Sequence, residues 1–332
     1  MERHLEILGT GAYVPSKIIT SAELDAKLGL PAGSIERKTG VRQRHSASIN
    51  ETAASMAAAA CRAALDQSNI KLEEIDCLIS ASGTMDQGLP HNAAMVHRAL
   101  GLIGPSLPAI DINSSCLSFL AALDTFSWPL AAGRYSKILI VSSDLATPGL
   151  DWSHLESSAI FGDGAAAVVI AASPAGTGSR ILASSLVTCS EGSELCKIPG
   201  LGSRFHPNRT NDHSVDPMLF KMDGKRVYRM AAELLPDFVQ NLMDKARTSL
   251  EDIACVIPHQ GSALGLHHLT KLLGLKPERV VDIFRDHGNQ VGASLPTALH
   301  TALSQQRLKR GDKALLIGFG AGISLGGMVL EY

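Results

Sequence analysis

The sequence predicts an α/β protein made of two related halves, residues 1–175 and 176–332. Three observations carry that prediction. The stretch Leu72-Glu73-Glu74-Ile75-Asp76-Cys77-Leu78-Ile79-Ser80-Ala81-Ser82-Gly83 returns 178 residues later as Leu250-Glu251-Asp252-Ile253-Ala254-Cys255-Val256-Ile257-Pro258-His259-Gln260-Gly261, with six of the twelve positions identical. In both halves helical stretches alternate with short apolar runs, the pattern of helices layered on a buried sheet. A chain of 332 residues is also long for one hydrophobic core. A repeat with a period of about half the chain means duplication of a whole domain, not an array of small units.

The elements follow in order. Leu5-Glu6-Ile7-Leu8-Gly9-Thr10-Gly11 reads as a strand entering a glycine turn, and Pro15 keeps the next segment out of a helix. Ser21 is placed to cap a short helix over residues 22–28, with Glu23 and Asp25 in its first turn. Residues 37–45 form a basic run; alone, such a run reads first as a solvated loop and second as a binder of phosphate-bearing ligands. An alanine-rich helix over residues 51–67 has the small side chains of a closely packed surface. Beyond the copied helix-to-strand unit, two further pairs share nearly its spacing. Leu100-Gly101-Leu102 with Asp111-Ile112 recurs as Leu273-Gly274-Leu275 with Asp282-Ile283. Ser136-Lys137-Ile138-Leu139-Ile140-Val141 resembles Asp312-Lys313-Ala314-Leu315-Leu316-Ile317.

Composition narrows the function. The chain is 45% hydrophobic and 19% charged with a net charge of -2, a globular balance that offers no global attraction to nucleic acid or a membrane surface. Cys61, Cys77, Cys116, Cys189, Cys196 and Cys255 include no CxxC pair, so neither a metal site nor a disulfide framework is expected, and a reducing, cytoplasmic setting fits. No stretch approaches membrane-spanning length.

Chemistry concentrates where repeated strands end. Residues 108–112 read as a strand, Asn113-Ser114-Ser115 as a tight turn, and Cys116 onward as a helix. A thiol at a helix N-terminus is expected to have a lowered pKa, which makes a nucleophile. Free cysteine is equally a small buried hydrophobe, and this stretch alone leaves both readings open. In the second half the equivalent strand leads to Asp286-His287-Gly288-Asn289, and the other copied strand delivers His259 where the first half has Ala81. If the halves are related by a pseudo-twofold axis, Cys116, His259 and Asn289 meet near it. Gly318-Phe319-Gly320-Ala321-Gly322 adds a turn able to offer backbone N–H donors.

Taken together, Gly9-Thr10-Gly11-Ala12-Tyr13-Val14-Pro15, Thr39-Gly40-Val41-Arg42-Gln43-Arg44, the Cys116 stretch, Phe161-Gly162-Asp163-Gly164-Ala165, Pro258-His259-Gln260, His287-Gly288-Asn289 and the Gly318 turn resemble the β-ketoacyl-acyl-carrier-protein synthase III family, within the thiolase-like superfamily. The resemblance covers essentially the whole chain. It implies duplicated βαβαβαββ halves in a five-layer αβαβα sandwich, a homodimer, and a Cys116-His259-Asn289 catalytic set. It further implies an oxyanion hole from the N–H groups of Cys116 and the Gly320-Ala321-Gly322 turn, with no metal or other cofactor. Coenzyme A or phosphopantetheine thioesters are the implied substrates: Cys116 takes an acyl group, and His259 and Asn289 stabilise the enolate formed when a malonyl thioester loses CO2.

Departures from the family pattern bear on substrate. Ser34 and Leu155 stand where typical members clasp coenzyme A with tryptophan and arginine, and Lys38 replaces a further arginine. Ser262 replaces the second asparagine of His-Gln-Ala-Asn. Phe319 resembles the aromatic residue between nucleophile and malonyl site, and Leu89 occupies the region where short-chain members carry phenylalanine. Arg229 and Lys271 match the surface that receives acyl carrier protein, whereas Leu264 stands where a basic residue is common. Two other outcomes fit the same residues: acyl transfer to another acceptor or long-chain head-to-head condensation, against which Leu89 argues where a glutamate is expected, and a non-catalytic partner subunit, against which the complete Cys-His-Asn set argues.

Overall fold

The structure is a computed structural model describing residues 2–173, 178–206, 208–211 and 214–332; the boundary expected at 175/176 lies outside the described residues. Nine strands build one long sheet: β1 (Arg3–Tyr13), β2 (Cys77–Ser80), β3 (Ala109–Asp111), β4 (Lys137–Asp144), β5 (Gly164–Ala172), β6 (Arg180–Thr188), β7 (Ile253–Pro258), β8 (Lys313–Gly320) and β9 (Ser324–Glu331). Their order is β7-β8-β9-β6-β1-β5-β4-β2-β3. The run β3-β2-β4-β5-β1 is one half-sheet, with β2 parallel to β3 and β4. The run β7-β8-β9-β6 repeats the order of β2-β4-β5-β1, and a lone bridge from Val256 to Val280 stands where the counterpart of β3 is expected. Among the described residues the two half-sheets join through Arg3 with Ile181 and His4 with Arg180.

Six helices pack on this sheet: α1 (Ala53–Ser68), α2 (Asn92–Ala99), α3 (Ser118–Ala131), α4 (Gly224–Ala246), α5 (Ala263–Leu272) and α6 (Ser294–Ser304). Strand alternation sorts the core into three apolar layers. Cys77, Ile79, Ile138 and Ile140 of the first half-sheet and Cys255, Ile257, Ala314 and Leu316 of the second face inward onto α3 and α6. Their neighbours Leu78, Leu139 and Val141 face outward against Ala57, Ala60, Ala64 and Val96 of α1 and α2. On the opposite side Val256, Leu315 and Ile317 pack on Leu235, Val239, Leu242 and Leu269 of α4 and α5. Helix, half-sheet, helices, half-sheet, helix: these are the five layers the resemblance implies.

Two local readings are corrected. The helix at Ser21–Lys27 is capped by Thr20, not Ser21: the Thr20 hydroxyl accepts from the Glu23 N–H and the Glu23 carboxylate accepts from the Thr20 N–H. The basic run is not a solvated loop throughout. Its start is a helix (Ser34–Thr39), its end the strand Gln43–His45, and Arg44 is only 2% exposed, donating to Ala159 O and Ser21 Oγ. Among the described residues no helix is long and apolar enough to cross a membrane.

Candidate active site

The middle layer positions the nucleophile. After β3, Asn113 Oδ1 accepts from the Ser115 N–H, and Ser115 takes φ +54, in the left-handed region where Asn or Gly is commoner than Ser. The turn is held by Ser118, whose hydroxyl donates to Ser115 O at 2.6 Å and accepts from the Ser114 N–H at 3.0 Å. Cys116 thus projects from a strained elbow. Helix α3 begins at Ser118 with Leu117 as its N-cap, so Cys116 lies just outside the helix and not on its first turn.

The expected lowering of the thiol pKa is reversed. Burial pushes Cys116 up to about 12, with Cys196 and Asp144 adding in the same direction against the Ser115 hydroxyl, 3.9 Å from Sγ, and a backbone N–H. Cys116 retains some surface because it faces the cavity, but protein surrounds the sulfur, and loss of solvation outweighs a helix dipole whose first turn lies beyond it. Burial likewise pushes His259 down to about 4. Both shifts favour a neutral thiol and a neutral imidazole on the cavity wall.

His259 follows β7, where its N–H donates to Ile317 O of β8. A Cβ at Gly318 would come within 2.7 Å of His259 Cβ and 3.1 Å of Leu117 Cδ2, so glycine there lets β8 run beneath the imidazole. Buried Gln260 ties this strand end to the next segment: Nε2 donates to Pro258 O and Val281 O, and Oε1 accepts from the Ile283 N–H. That segment carries Asn289, which is 6% exposed. Its backbone docks on the other half, Asn289 N–H donating to Ile160 O and Gly162 N–H to Asn289 O. Gly288, at φ +66, permits the approach, since a Cβ there would lie 2.6 Å from Ile160 O. The Asn289 side chain is oriented as well: Oδ1 accepts from the Val291 N–H at 2.8 Å, leaving the Nδ2 donors with only a long 3.5 Å contact to Gly261 O.

All three residues line one cavity of about 1860 Å³, together with Gly318, Phe319, Gly320, Ala321 and Ser262. Ser262 also caps α5, its hydroxyl accepting from the Gly265 N–H. The cavity wall includes exposed Arg37, Lys38, Lys225 and Arg229, Lys38 lying 3.7 Å from Glu156. Gly322 and Leu89 stand outside the cavity, as does Lys271, which is expected on the carrier-protein surface and not in the cavity. Gly322 shapes the turn with φ +82 but does not line the cavity; Lys271 is exposed on α5 away from it; Leu89 is 87% exposed on the surface of this chain. The sequence reading missed the wall formed by Cys196, Ile198, Met218, Phe220 and Met222, which comes from short turns and two-residue strands without a readable period. It also missed Gly83 and Thr84, which line the cavity beside the elbow.

Known proteins resemble this chain throughout. A family model described as 3-oxoacyl-(acyl-carrier-protein) synthase III matches residues 110–190, and one described as its C-terminal part matches residues 243–332. The beta-ketoacyl-(acyl-carrier-protein) synthase III of Clostridium acetobutylicum is 31% identical over 328 residues, covering 99% of this chain and 98% of that protein. The protein of that name from Thiobacillus denitrificans is 32% identical over 329 residues, 98% of each. The crystal structure of 3-oxoacyl-(acyl carrier protein) synthase III from Pseudomonas aeruginosa PAO1 matches with a TM-score of 0.88 at 31% identity, over 99% of this chain and 98% of that one. A variant of OleA from Xanthomonas campestris matches with a TM-score of 0.86 at 22% identity over 99% of each chain, a likeness of fold.

Proposed function

Because the chain belongs to the 3-oxoacyl-(acyl-carrier-protein) synthase III family, and is thus a condensing acyltransferase of thiolase-like fold, we propose that it joins an acyl group held on Cys116 to a malonyl thioester. The observation that carries this reading is the convergence of Cys116, His259 and Asn289, delivered by three separated segments, on one cavity.

The Cys116 sulfur attacks the donor thioester carbonyl; its bond to the carbonyl carbon forms, the donor carbon–sulfur bond breaks, and the donor thiol leaves with the proton. The transient oxyanion is held by N–H groups of Cys116 and of Gly320 and Ala321, the members of the glycine turn that line the cavity. The malonyl thioester then loses CO2, leaving an electron pair on the α-carbon. His259 Nε2–H and Asn289 Nδ2–H donate to the thioester oxygen of that enolate. Neutral His259 suits this donor role, and the orientation of Asn289 by Val291 leaves its donors with only the long Gly261 contact to give up. The α-carbon attacks the acyl-enzyme, Cys116 departs, and one proton is taken up to restore the thiol. No step calls on a metal or redox cofactor. Phe319 stands between the two substrates' positions, and the halves 1–175 and 176–332 supply nucleophile and donors respectively.

A phosphopantetheine thioester on acyl carrier protein fits the basic residues Arg37, Lys38, Lys225 and Arg229 along the cavity wall; Lys271 extends the basic surface on α5. Ser34 and Leu155 lack the planar groups that grip coenzyme A, which favours a protein-borne donor. We also propose a homodimer through β3. This strand is the free edge of the sheet, with Ile110 at 36%, Leu89 at 87% and Ile103 at 94% exposure nearby in sequence or on the adjoining loops. Sedimentation velocity tests it: a monomer at micromolar concentration contradicts the dimer.

Separating the half-reactions tests the assignment of roles. His259→Ala and Asn289→Ala should still acylate Cys116 but release CO2 from malonyl thioester about 10²–10³-fold more slowly. Loss of acylation with undiminished decarboxylation would reverse the assignment. Charge reversal at Arg229 should lower kcat/KM for carrier-protein donors and leave their simple pantetheine analogues unaffected.

A further inference from the structure

Asp144, the last residue of β4, is a fully buried carboxylate that the proposed chemistry does not use. It stands where two loops of the site meet. Its Oδ1 accepts from the Gly83 N–H at 2.9 Å, the Thr84 N–H at 2.7 Å and the Thr84 hydroxyl at 3.0 Å. Its Oδ2 accepts from the Ala293 N–H at 3.1 Å. The first loop lines the cavity beside Cys116; the second is the single turn Val291–Ala293 that follows Asn289. The packing leaves no slack, since a Cβ at Gly292 would lie 3.0 Å from Asp144 Oδ2 and 3.3 Å from Ser115 O.

The second loop needs holding. Val291 adopts φ +52, a left-handed conformation that a β-branched residue takes only under constraint from its surroundings. Two side-chain bonds add to the turn's own bond from the Ala293 N–H to Gln290 O at 3.0 Å: Asn289 Oδ1 accepts from the Val291 N–H on one side, and Asp144 Oδ2 shares the Ala293 N–H on the other. The Val291 bond is the one that fixes which way the Asn289 amide points. Relaxing the turn therefore turns the Asn289 donors away from the cavity.

We propose that Asp144 is a positioning residue that holds the Asn289 turn in register with the Cys116 elbow, so that the malonyl half-reaction depends on it and acyl loading does not. This rests on the roles given above to Cys116 and Asn289. In Asp144→Asn the new Oδ1 can keep the Gly83 and Thr84 bonds, but Nδ2 then meets the Ala293 N–H donor to donor. The Asn289 turn is displaced while the elbow side stays bonded.

The test measures Cys116 acylation by intact mass and CO2 release from malonyl thioester in the same preparations of the full chain. Asp144→Asn should acylate at near the wild-type rate and decarboxylate about 10²-fold more slowly, in kcat and not KM, as for a group misplaced by about 1 Å. Adding Val291→Gly, which is unstrained at positive φ, should recover much of the lost rate, because a relaxed turn no longer needs the tie. Should Asp144→Asn fail to fold, Ala293→Pro at φ -72, which proline accepts, withdraws that N–H from Asp144 Oδ2 and from Gln290 O together, and the same selective loss is expected. Equal loss of both half-reactions, unchanged decarboxylation, or no recovery in the double variant overturns the proposal. Wild-type protein that does not acylate on Cys116 would defeat the underlying reading instead, and the two failures are told apart in the same experiment.

Discussion

At Cys116 desolvation prevails over every local feature that favours a thiolate. With the thiol pushed up to about 12 and His259 down to about 4, the neutral pair dominates at neutral pH. Alkylation of Cys116 by iodoacetamide should therefore climb about tenfold per pH unit from about pH 7 to about pH 10; a plateau below about pH 8 would indicate a preformed ion pair. His259 also links to stability. The fold depresses its pKa from 6.5 to about 4, so the unfolded chain binds the extra proton first, and stability is lost as pH falls through that window, by at most about 3 kcal/mol. Urea unfolding of wild type and His259→Gln at both ends of the window should show a smaller acid loss in the variant. Residue types and their order made the convergence of Cys116, His259 and Asn289 on one cavity legible in the sequence. The elbow was not, because Ser115 reaches positive φ without a glycine to announce it, nor was the direction of the thiol shift, which depends on what surrounds the sulfur.

Among the elements, strands were read more securely than helix starts. The copied unit of β2 and β7 and the apolar alternation of β4 and β8 fixed which residues lie at strand ends, and those ends bear the site. Helix starts rest on caps one residue wide, so Thr20 displaced Ser21 and α3 begins two residues after Cys116. The cavity wall at Cys196–Lys197 and Lys221–Met222 has no period to read, and the ties to Asp144 join positions 60 to 149 residues apart. At this scale β8 can be tested through Gly318. Alanine there meets His259 Cβ and Leu117 at once, so Gly318→Ala should destabilise by about 1–3 kcal/mol and slow decarboxylation along with it. Wild-type stability and rate in that variant would mean that β8 does not set the imidazole's position.

In the whole molecule the two half-sheets meet through one short pairing, reinforced by a buried charge. Arg3 is 3% exposed; its Nη1 donates to Asp124 on α3 at 2.6 Å, its Nη2 to Ser184 on β6 at 2.8 Å, and its guanidinium lies over Trp128. Asp124→Ala leaves that guanidinium buried without its counter-charge and should lower stability by about 3 kcal/mol, visible as a shifted urea midpoint, whereas an unchanged midpoint would show that Ser184 and Trp128 suffice. The layered architecture was legible because duplication ties each half to the other, and alternation within each strand says which face is shared. In the proposed function Cys116 stores an acyl group which a malonyl thioester then removes. Intact-protein mass spectrometry tests it directly, with wild type and Cys116→Ala incubated with acyl-coenzyme A and acyl-carrier-protein thioesters, then with malonyl-carrier protein. An acyl mass is expected on wild type alone, discharged by the malonyl thioester with release of a β-ketoacyl product. An acyl mass on Cys116→Ala, or one on wild type that the malonyl thioester cannot discharge, would contradict it.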